Sequence, residues 1–341
     1  MKEVTYLRAK SPLRISFAGG GTDIEAVYQN IGGAVLVSTI NKYSYASITP
    51  HDDHQISVRS LDYNKQIDFN LKDKPKYDGV LDLVKASIEE LNIDRGLDIC
   101  IQTEAPPGSG LGSSSSMLTA VLAGLQTLNE AHLDLYALAE KAYRVERIKM
   151  GISGGKQDQY ASTFGGFNLI EFNTDHVEVT PLRLHQDTLN DLESHCMLCF
   201  TGGTRLSANL IDKQVAAFQE NAGTSREGTE QLKALAYEAK SLLLRGKIFE
   251  FGHLLHKAGL AKKRMNPETT DEHIDALYNA ARKEGAFGGK ILGAGGGGFL
   301  LLFVPMDKKR DVKEKLEELG GIFMTFSFSN VGVQTWSSTC P

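Results

Sequence analysis

The stretch PPGSGLGSSSSM, from Pro106 to Met117, holds three glycines and five serines between two segments of regular structure. The segment before it, Gly96–Pro106, has the alternating pattern of a strand, and the segment from Ser113 onward is apolar on nearly every side, as in a buried helix. A helix N-terminus has unpaired N–H groups and a partial positive charge, and small residues let an anion approach it. The stretch therefore predicts a phosphate-binding loop.

The individual residues of this stretch have separate uses. Gly108, Gly110 and Gly112 supply the bends, and the serines of Ser113–Ser116 can cap the helix, donate to phosphate oxygens or ligate Mg²⁺. The pattern is not a P-loop, because serine follows the last glycine where a Lys-Ser/Thr pair is required. A flexible Gly/Ser connector is the alternative, although such linkers do not normally join a strand to an apolar helix.

Two further glycine clusters occur far from the first along the chain. Gly19–Gly21 follow a predicted strand and precede Thr22 and Asp23, and Gly293–Gly298, interrupted by alanine, precede another strand. A single cluster is weak evidence, because turns use glycine routinely. Three separated clusters predict three backbones that converge on one ligand.

Two carboxylates stand in the segment VERIKMGISGGKQDQYASTFGG. Glu146 lies on a predicted helix, and Asp158 follows twelve residues later, next to a glycine-rich loop that also contains Lys156. Taken singly, Glu146 fits a solvated helix face paired with Lys149, and Asp158 fits a helix N-cap. Their proximity to the glycine loop makes them candidates for metal binding and proton transfer.

The bulk composition describes a folded chain without a general affinity for nucleic acid or membranes. Of the 341 residues, 41% are hydrophobic and 23% are charged, and the formal net charge is -5. This length favours two domains, and the negative charge gives no field that attracts nucleic acid. The longest apolar run, which starts at Phe299, is too short to span a bilayer, and the charged N-terminal segment resembles no signal peptide. We expect a cytoplasmic protein.

Taken together, the motifs resemble the GHMP kinase superfamily of small-molecule kinases. PLRISFAGGGTD is similar to the first motif of that family, PPGSGLGSSSS to the second and KILGAGGGGFL to the third. The resemblance implies a two-domain α+β protein. Its N-terminal domain, residues 1–185, would be a ribosomal-S5-like α/β domain, and its C-terminal domain, residues 186–341, would be ferredoxin-like. It also implies ATP and Mg²⁺ as cofactors and an active site between the domains.

The resemblance assigns roles to particular residues. Asp158 matches the aspartate that accepts the proton of the attacking hydroxyl, with Arg14 and Lys156 as the cations expected near it. Mg²⁺ is assigned to Glu146 and a serine of the loop, Ser114 being the first choice. The nucleotide is assigned to the second motif, through Gly108, Gly110, Leu111, Gly112, Ser113, Ser114 and Ser115.

The acceptor site is assigned in the same way, with one departure from the galactokinase pattern. Gly20 and Gly21 stand where galactokinases have glutamate and histidine, which argues against galactose. The segments FAGGGTD, GGKQDQYAS and TGGTR are most similar to the heptose 7-phosphate kinases, which phosphorylate an anomeric hydroxyl to give a 1,7-bisphosphate. The residues assigned to the acceptor are Gly19, Gly20, Gly21, Thr22, Asp23, Thr201, Thr204, Arg205 and Gly296.

The phosphate already on such an acceptor needs a second anion site. Arg205, within the TGGTR loop, and Lys156 are the candidates, and a surface arginine beside a turn is the plainer interpretation. A 1-kinase of a free sugar, fucose-type or N-acetylhexosamine-type, is an alternative function. A non-catalytic sugar or nucleotide sensor is another. The oligomeric state is left open.

Overall fold

Alternation of apolar and polar residues along two long segments produces the two longest strands of the fold. The structure is a computed structural model, which describes residues 4–73, 75–130, 134–203, 207–220 and 224–340. The strands are β1 (Val4–Ala18), β2 (Gly33–His51), β3 (Gln55–Ser60), β4 (Lys65–Asn70), β5 (Gly96–Thr103), β6 (Phe167–Phe172), β7 (Val177–Pro181), β8 (Cys196–Phe200), β9 (Gly288–Ile291), β10 (Phe299–Phe303), β11 (Ile322–Met324), β12 (Phe328–Ser329) and β13 (Gln334–Cys340).

Helices cover both sheets and supply part of the lining of the cavity described below. They are α1 (Glu25–Ile31), α2 (Asp82–Glu90), α3 (Ser113–Leu128), α4 (Leu135–Tyr143), α5 (Gln157–Phe164), α6 (Gln186–His195), α7 (Ser207–Gln219), α8 (Ser225–Leu244), α9 (Ile248–Met265), α10 (Glu272–Lys283) and α11 (Lys309–Glu318). A π-helical segment, Arg144–Lys149, continues α4. No helix among the described parts of the chain combines the length and apolarity that a bilayer crossing needs.

The first sheet is built around β1 and β2. Its main order is β13-β1-β2-β5-β3-β4, and β6, β7 and β12 join it through β2 or β6. β1 and β2 are antiparallel along most of their length, whereas β3 and β5 run parallel. α3 packs on this sheet, and its fully buried residues include Leu118, Val121 and Leu125. This burial explains why its sequence is apolar all round and fixes where its N-terminus lies.

The second sheet has the order β11-β8-β10-β9 and is antiparallel. Helices separate β8 from β9 and β10 from β11, while β9 and β10 form a hairpin, in agreement with the predicted ferredoxin-like half. The two halves share one core, in which Phe17 of β1 meets Phe251 of α9 with their ring centroids 5.4 Å apart. Because this core is continuous, the cavity between the halves has rigid walls.

The predicted division at residues 185 and 186 coincides with the start of α6, and it stays a prediction. One part of the chain departs from it. β12 pairs with β2, and β13 pairs with β1 from Val4 opposite Cys340 to Lys10 opposite Gln334. The late strands therefore complete the first sheet, because they satisfy the backbone groups along the free edge of β1.

Candidate active site

A cavity of about 410 Å³ lies where the three glycine clusters meet. It is lined by Gly20 and Gly21 of the first cluster, Gly110 of the second and Gly293 of the third. The second and third clusters touch, because a Cβ placed on Gly110 would lie 2.8 Å from the carbonyl oxygen of Leu292. The structure thus brings together the three backbones that the sequence predicted to converge.

The second cluster leads the chain into α3 through a series of left-handed turns. Gly108, Gly110 and Gly112 have φ values of 71°, 77° and 74°, which side-chain-bearing residues adopt only with strain. Ser113–Ser115, the first turn of α3, line the cavity. Their N–H groups have no partner within the helix, so the site suits an anion. The geometry fits the nucleotide role assigned to these residues, and that role stays a prediction.

Leu111 differs from its neighbours in this loop. Its side chain is fully buried in the shared core and does not line the cavity. Its N–H donates to Ser109 Oγ at 3.4 Å, and its carbonyl accepts from the Arg14 N–H at 3.0 Å. The structure therefore does not bring Leu111 into contact with the cavity, because its apolar side chain fastens the loop to the core instead.

Glu146 lies at the base of the loop and is almost fully buried. Its two carboxylate oxygens accept hydrogen bonds from Ser114 Oγ at 2.9 Å, from Ser115 Oγ at 2.6 Å and from Gln159 Nε2 at 2.6 Å. Arg147 Nη1 lies 3.6 Å away. The π-helical segment that carries Glu146 is a feature often found at functional sites. A solvated pair with Lys149 is wrong for this carboxylate, since Lys149 contacts Glu89 instead.

These oxygen donors fit a magnesium ion. Mg²⁺ in phosphoryl-transfer sites is usually held by one or two carboxylates together with phosphates and water. The hydroxyl of Ser114 and the carboxylate of Glu146 lie together beside the phosphate-binding helix turn. The described residues contain no group of three or more His, Cys, Asp or Glu side chains suited to a metal ion.

Asp158 lies in the first turn of α5 and is next to Gly112 in the cavity wall. Its Oδ1 accepts from Arg14 Nε at 2.7 Å and from Arg14 Nη2 at 2.5 Å. Arg14 also donates through Nη1 to the Gly110 carbonyl at 2.5 Å. A Cβ on Gly112 would lie 3.3 Å from Asp158 Cγ, so the carboxylate sits directly against the loop. One arginine therefore joins the candidate base to the candidate nucleotide site.

Asp23 is the second carboxylate of the cavity wall. It accepts hydrogen bonds from Gly21 N at 2.9 Å, from Gln157 N at 3.0 Å and from Gln157 Nε2 at 3.1 Å. Burial raises the pKa of Asp23 above its ordinary value and the charge of Asp158 acts in the same direction, while the N–H groups of Gln157 and Gly21 oppose the shift. Gly155 lets the carboxylate approach, since a Cβ there would lie 1.9 Å from Oδ2.

Two other residues of the first motif support the turn and do not line the cavity. The hydroxyl of Thr22 donates to the carbonyls of Gly19 at 2.8 Å and Ala34 at 3.1 Å. A Cβ on Gly19 would lie 1.9 Å from the Ala34 oxygen. Gly19 and Thr22 thus hold the turn against β2, and the structure does not bring them to the predicted acceptor site.

Lys156 is likewise not brought to the cavity, although Gln157 and Asp158 beside it are. Its Nζ lies 3.1 Å from Glu140 Oε2 and 4.4 Å from the centroid of the Tyr143 ring. An ammonium with a carboxylate partner and an aromatic face is well satisfied there. The expected contact of Lys156 with Asp158 or a substrate phosphate is therefore corrected by the structure.

The remaining predicted acceptor residues belong to a neighbouring cavity or lie outside the description. Thr201 and Gly296 line a second cavity of about 380 Å³, which shares Gly297 with the first. Thr201 Oγ1 donates to the Gly298 carbonyl at 3.0 Å. Thr204 and Arg205 lie outside the described residues.

Gln157 and Lys262 are two of the cavity residues that were not predicted from the sequence. Gln157 joins the first motif to α5 through Asp23, and Lys262 of α9 enters the cavity wall from the second half. Burial lowers the pKa of Lys262 to about 7, and the positive charge of Arg14 acts in the same direction. A usable signal was present for Lys262, because it shares the spacing of the buried residues Ala258 and Met265 on the same helix face.

Comparisons with known proteins agree with this fold and cavity. The chain matches the GHMP kinases N terminal domain over residues 79–166 and the GHMP kinases C terminal domain over residues 239–322. It is 33% identical to D-glycero-alpha-D-manno-heptose 7-phosphate kinase of Campylobacter jejuni over 336 residues, which cover 97% of this chain and 98% of that protein. The chain belongs to the GHMP kinases.

Solved structures give the same result. A crystal structure of a D-glycero-D-manno-heptose 1-phosphate kinase from Bacteroides thetaiotaomicron has a TM-score of 0.81 and 31% identity, covering 97% of this chain and 98% of that one. Lactococcus lactis galactokinase complexed with galactose has a TM-score of 0.80 at 23% identity, covering 98% of this chain and 95% of that chain, and it supports the fold alone. The predicted family, α+β fold and kinase class are confirmed, and ATP is the phosphoryl donor that this membership implies.

Proposed function

We propose that this protein transfers the terminal phosphoryl group of ATP to the anomeric hydroxyl of D-glycero-D-manno-heptose 7-phosphate, forming the 1,7-bisphosphate. The observation that carries the proposal is the shared cavity of the Ser113–Ser115 helix turn, Asp158 and Asp23. This shared lining supports a site in which an anion-binding helix turn, a base and a group that accepts sugar hydroxyls act together. The full-length similarity to the Campylobacter heptose 7-phosphate kinase supports the choice of sugar.

The nucleotide side of the cavity is built from backbone and hydroxyl groups. The loop around Gly110 and the first turn of α3 donate N–H groups to the triphosphate, and the helix dipole favours its negative charge. Ser114 and Glu146 would hold Mg²⁺. When bound, the ion neutralises charge on the phosphoryl group and its leaving oxygens. Because these groups are fixed before binding, little reorganisation is needed during the reaction.

Asp158 orients the acceptor hydroxyl and takes its proton. The hydroxyl oxygen forms a bond to the terminal phosphorus, and the bond from that phosphorus to the bridging oxygen breaks, leaving ADP with the electron pair. Arg14 occupies Oδ1 of Asp158 with two contacts, so Oδ2 is the oxygen available to the hydroxyl. A positioned base of this kind contributes about 10²–10⁴-fold to the rate.

Asp23 and the glycines around it recognise the sugar. Gly20 and Gly21 leave room where larger side chains would narrow the cavity, and the Asp23 carboxylate can accept hydrogen bonds from ring hydroxyls. Gln157 fixes that carboxylate through both its backbone and side-chain nitrogens. The phosphate of the acceptor is assigned to Arg205 and the second cavity around Thr201 and Gly296, which adjoins the first at Gly297. A cytoplasmic location is part of the same proposal.

An ADP-release assay on the purified protein tests the proposed acceptor. Heptose 7-phosphate, unphosphorylated heptose, hexose and pentose phosphates, fucose and N-acetylhexosamines are compared at equal concentration with Mg-ATP. We expect the highest kcat/KM with the heptose 7-phosphate. The product should be a bisphosphate whose new phosphate is on the anomeric oxygen. Preference for a free sugar identifies a 1-kinase of another class, and no turnover with any acceptor supports a sensor.

A further inference from the structure

Lys262 is a buried lysine in the cavity wall that belongs to none of the three glycine clusters. Its ammonium donates to the carbonyl oxygen of Ile291 at 3.1 Å and to that of Gly293. Among the described residues, no carboxylate lies within the 4.0 Å of an ion pair. By contrast, Lys263 beside it is more exposed and lies 2.6 Å from Asp275. Of these two neighbouring lysines in the described part of the chain, Lys263 has a carboxylate within that distance and Lys262 does not.

Such an arrangement is unfavourable unless a ligand completes it. Removing an ammonium from water without a counter-ion costs much of its solvation free energy. An ammonium has three N–H donors, and the two carbonyl bonds use two of them. Because Lys262 lines the cavity, its third donor is available to an anion bound there.

The position of Lys262 identifies that anion. The carbonyl of Gly293 accepts one of the hydrogen bonds from Lys262. Gly293 packs against Gly110, since a Cβ on Gly293 would lie 2.6 Å from the Gly110 Cα. The Gly110 carbonyl in turn accepts from Arg14, the partner of Asp158. Lys262 therefore reaches the cavity where the phosphate loop meets the candidate base. Thr201 and Gly296, assigned to the acceptor's own phosphate, line the second cavity.

The charge state of Lys262 responds to its surroundings. Its pKa is lowered to about 7, chiefly by burial and also by the positive charge of Arg14, while the charge of Asp23 opposes the shift. An anion that accepts from the ammonium raises the pKa again, so binding takes up a proton at pH values above about 7. The charged and titratable groups that face it from the surrounding elements are Arg14, Asp23, Lys290, His256 and Tyr278.

We infer that Lys262 donates to the terminal phosphoryl group of the nucleotide and, with Arg14, stabilises its charge during transfer. The inference rests on the proposed phosphoryl transfer from ATP. Lys262 forms no covalent bond and keeps its proton throughout. The acceptor proton still goes to Asp158, and the electron pair of the broken bond still leaves with ADP.

Calorimetry provides a readout that does not depend on turnover. The magnesium complex of an ATP analogue with an imido bridge between the β and γ phosphates is titrated at about pH 7.5 in Tris and in HEPES. The two buffers differ in ionisation enthalpy, so the difference in heat gives the protons taken up. We expect net proton uptake in the wild type, because the lowered pKa leaves part of the Lys262 population neutral at that pH before the anion binds. Lys263→Met retains this uptake, and Lys262→Met loses it.

Steady-state kinetics then distinguish two roles for Lys262. It could stabilise the transition state, or it could hold the glycine loop in place through its bond to Gly293. We expect Lys262→Met to lower kcat by about 10²-fold while both KM values stay within about threefold, and Lys262→Arg to recover part of the rate. Thermal unfolding shows whether Lys262→Met remains folded, which we expect because it removes a buried charge.

Several results would overturn the inference. One is the absence of proton uptake in the wild type, and another is equal uptake in Lys262→Met. A third is uptake only when heptose 7-phosphate is added, because that result assigns Lys262 to the acceptor's phosphate. An unchanged kcat in Lys262→Met excludes the role in transfer. A wild type that takes up the proton but phosphorylates none of the acceptors tested contradicts the proposed function and leaves the nucleotide contact intact.

Discussion

Arg14 directs two of its nitrogens at the same oxygen of Asp158, at 2.7 and 2.5 Å. Its third nitrogen donates to the Gly110 carbonyl of the phosphate loop. Because Arg14 is almost fully buried, this arrangement is fixed by the core and not by surface electrostatics. The distance between the base and the nucleotide is therefore set before either substrate arrives, which is how positioning contributes to rate.

Replacing the base tests this geometry directly. Asp158→Asn keeps the shape and the hydrogen bond to Arg14 but removes the proton acceptor, so kcat should fall by about 10²–10⁴-fold with nucleotide affinity unchanged. Steady-state ADP release and analogue titration measure the two quantities. Asp68→Asn, on the exposed strand β4, is the matched control. Near wild-type turnover in Asp158→Asn would remove this residue from the role of base.

Glu146 is expected to determine the magnesium requirement. Glu146→Gln preserves the packing around Ser114, Ser115 and Gln159 but lowers the charge, so the Mg²⁺ concentration for half-maximal rate should rise by about tenfold or more. Rates measured against free Mg²⁺ at saturating ATP test this. Glu90→Gln, outside the cavity, should leave the curve in place. A superimposable Mg²⁺ titration for Glu146→Gln would assign the metal to other ligands.

Gly155 permits the close approach of Asp23. In Gly155→Ala the new Cβ would lie 1.9 Å from Asp23 Oδ2, so the carboxylate or the loop must move. We expect KM for the sugar phosphate to rise by about tenfold, since displaced positioning groups commonly cost this much or more. KM for ATP should change little. Equal effects on both substrates would show that the loop shift has spread beyond the acceptor side.

Arg205 is the predicted partner of the acceptor's own phosphate. Arg205→Ala should raise KM for heptose 7-phosphate by about 10- to 100-fold, the value of one to two charge-assisted hydrogen bonds, and leave KM for ATP as it is. Unphosphorylated heptose serves as the internal control, because it lacks the group that Arg205 binds. If the variant discriminates between the two sugars as the wild type does, the second phosphate binds elsewhere.

Lys290 makes stability depend on pH. It is fully buried and donates to the Ser16 carbonyl at 2.7 Å, and burial lowers its pKa well below its ordinary value. Between the folded and unfolded pKa values the unfolded chain binds more protons, so the free energy of unfolding rises with pH up to about 10.4. Lys290→Met should be more stable than the wild type by roughly 1 kcal/mol or more near pH 7.

Denaturant unfolding across this pH range provides the measurement. The advantage of Lys290→Met should shrink as pH approaches 10.4, because the penalty in the wild type disappears once the unfolded lysine is neutral too. Lys283→Met on the exposed side of α10 should show no such trend. A constant difference at all pH values would mean that packing, and not charge, separates Lys290→Met from the wild type.

The glycine clusters could be predicted from the sequence because their chemistry is local. A run such as GSGLG determines the positive φ values and the start of α3 within a few residues. Its similarity to the second motif of the GHMP kinases is carried by the same few residues. The contact between Gly110 and Gly293 follows once both loops serve one ligand. Glu146 and Asp158 could be located for the same reason, from their spacing to a glycine-rich segment.

Side-chain direction could not be obtained in this way. Lys156 stands two positions before Asp158, yet it turns to Glu140 because a carboxylate and two tyrosines are packed there by other helices. Lys262 lies in a run of three basic residues, a pattern that is typical of a solvent-exposed helix end. Only its place on the face of Ala258 and Met265 distinguishes it.

The pairing of β13 with β1 has a consequence for synthesis of the chain. Arg8 and Ser338, whose side chains are hydrogen-bonded across these strands, are 330 positions apart. The β1 edge of a nascent chain therefore stays open until about 330 further residues have been added, and contacts of such long sequence separation form slowly. During that time the open edge is a template for pairing with strands of other nascent chains.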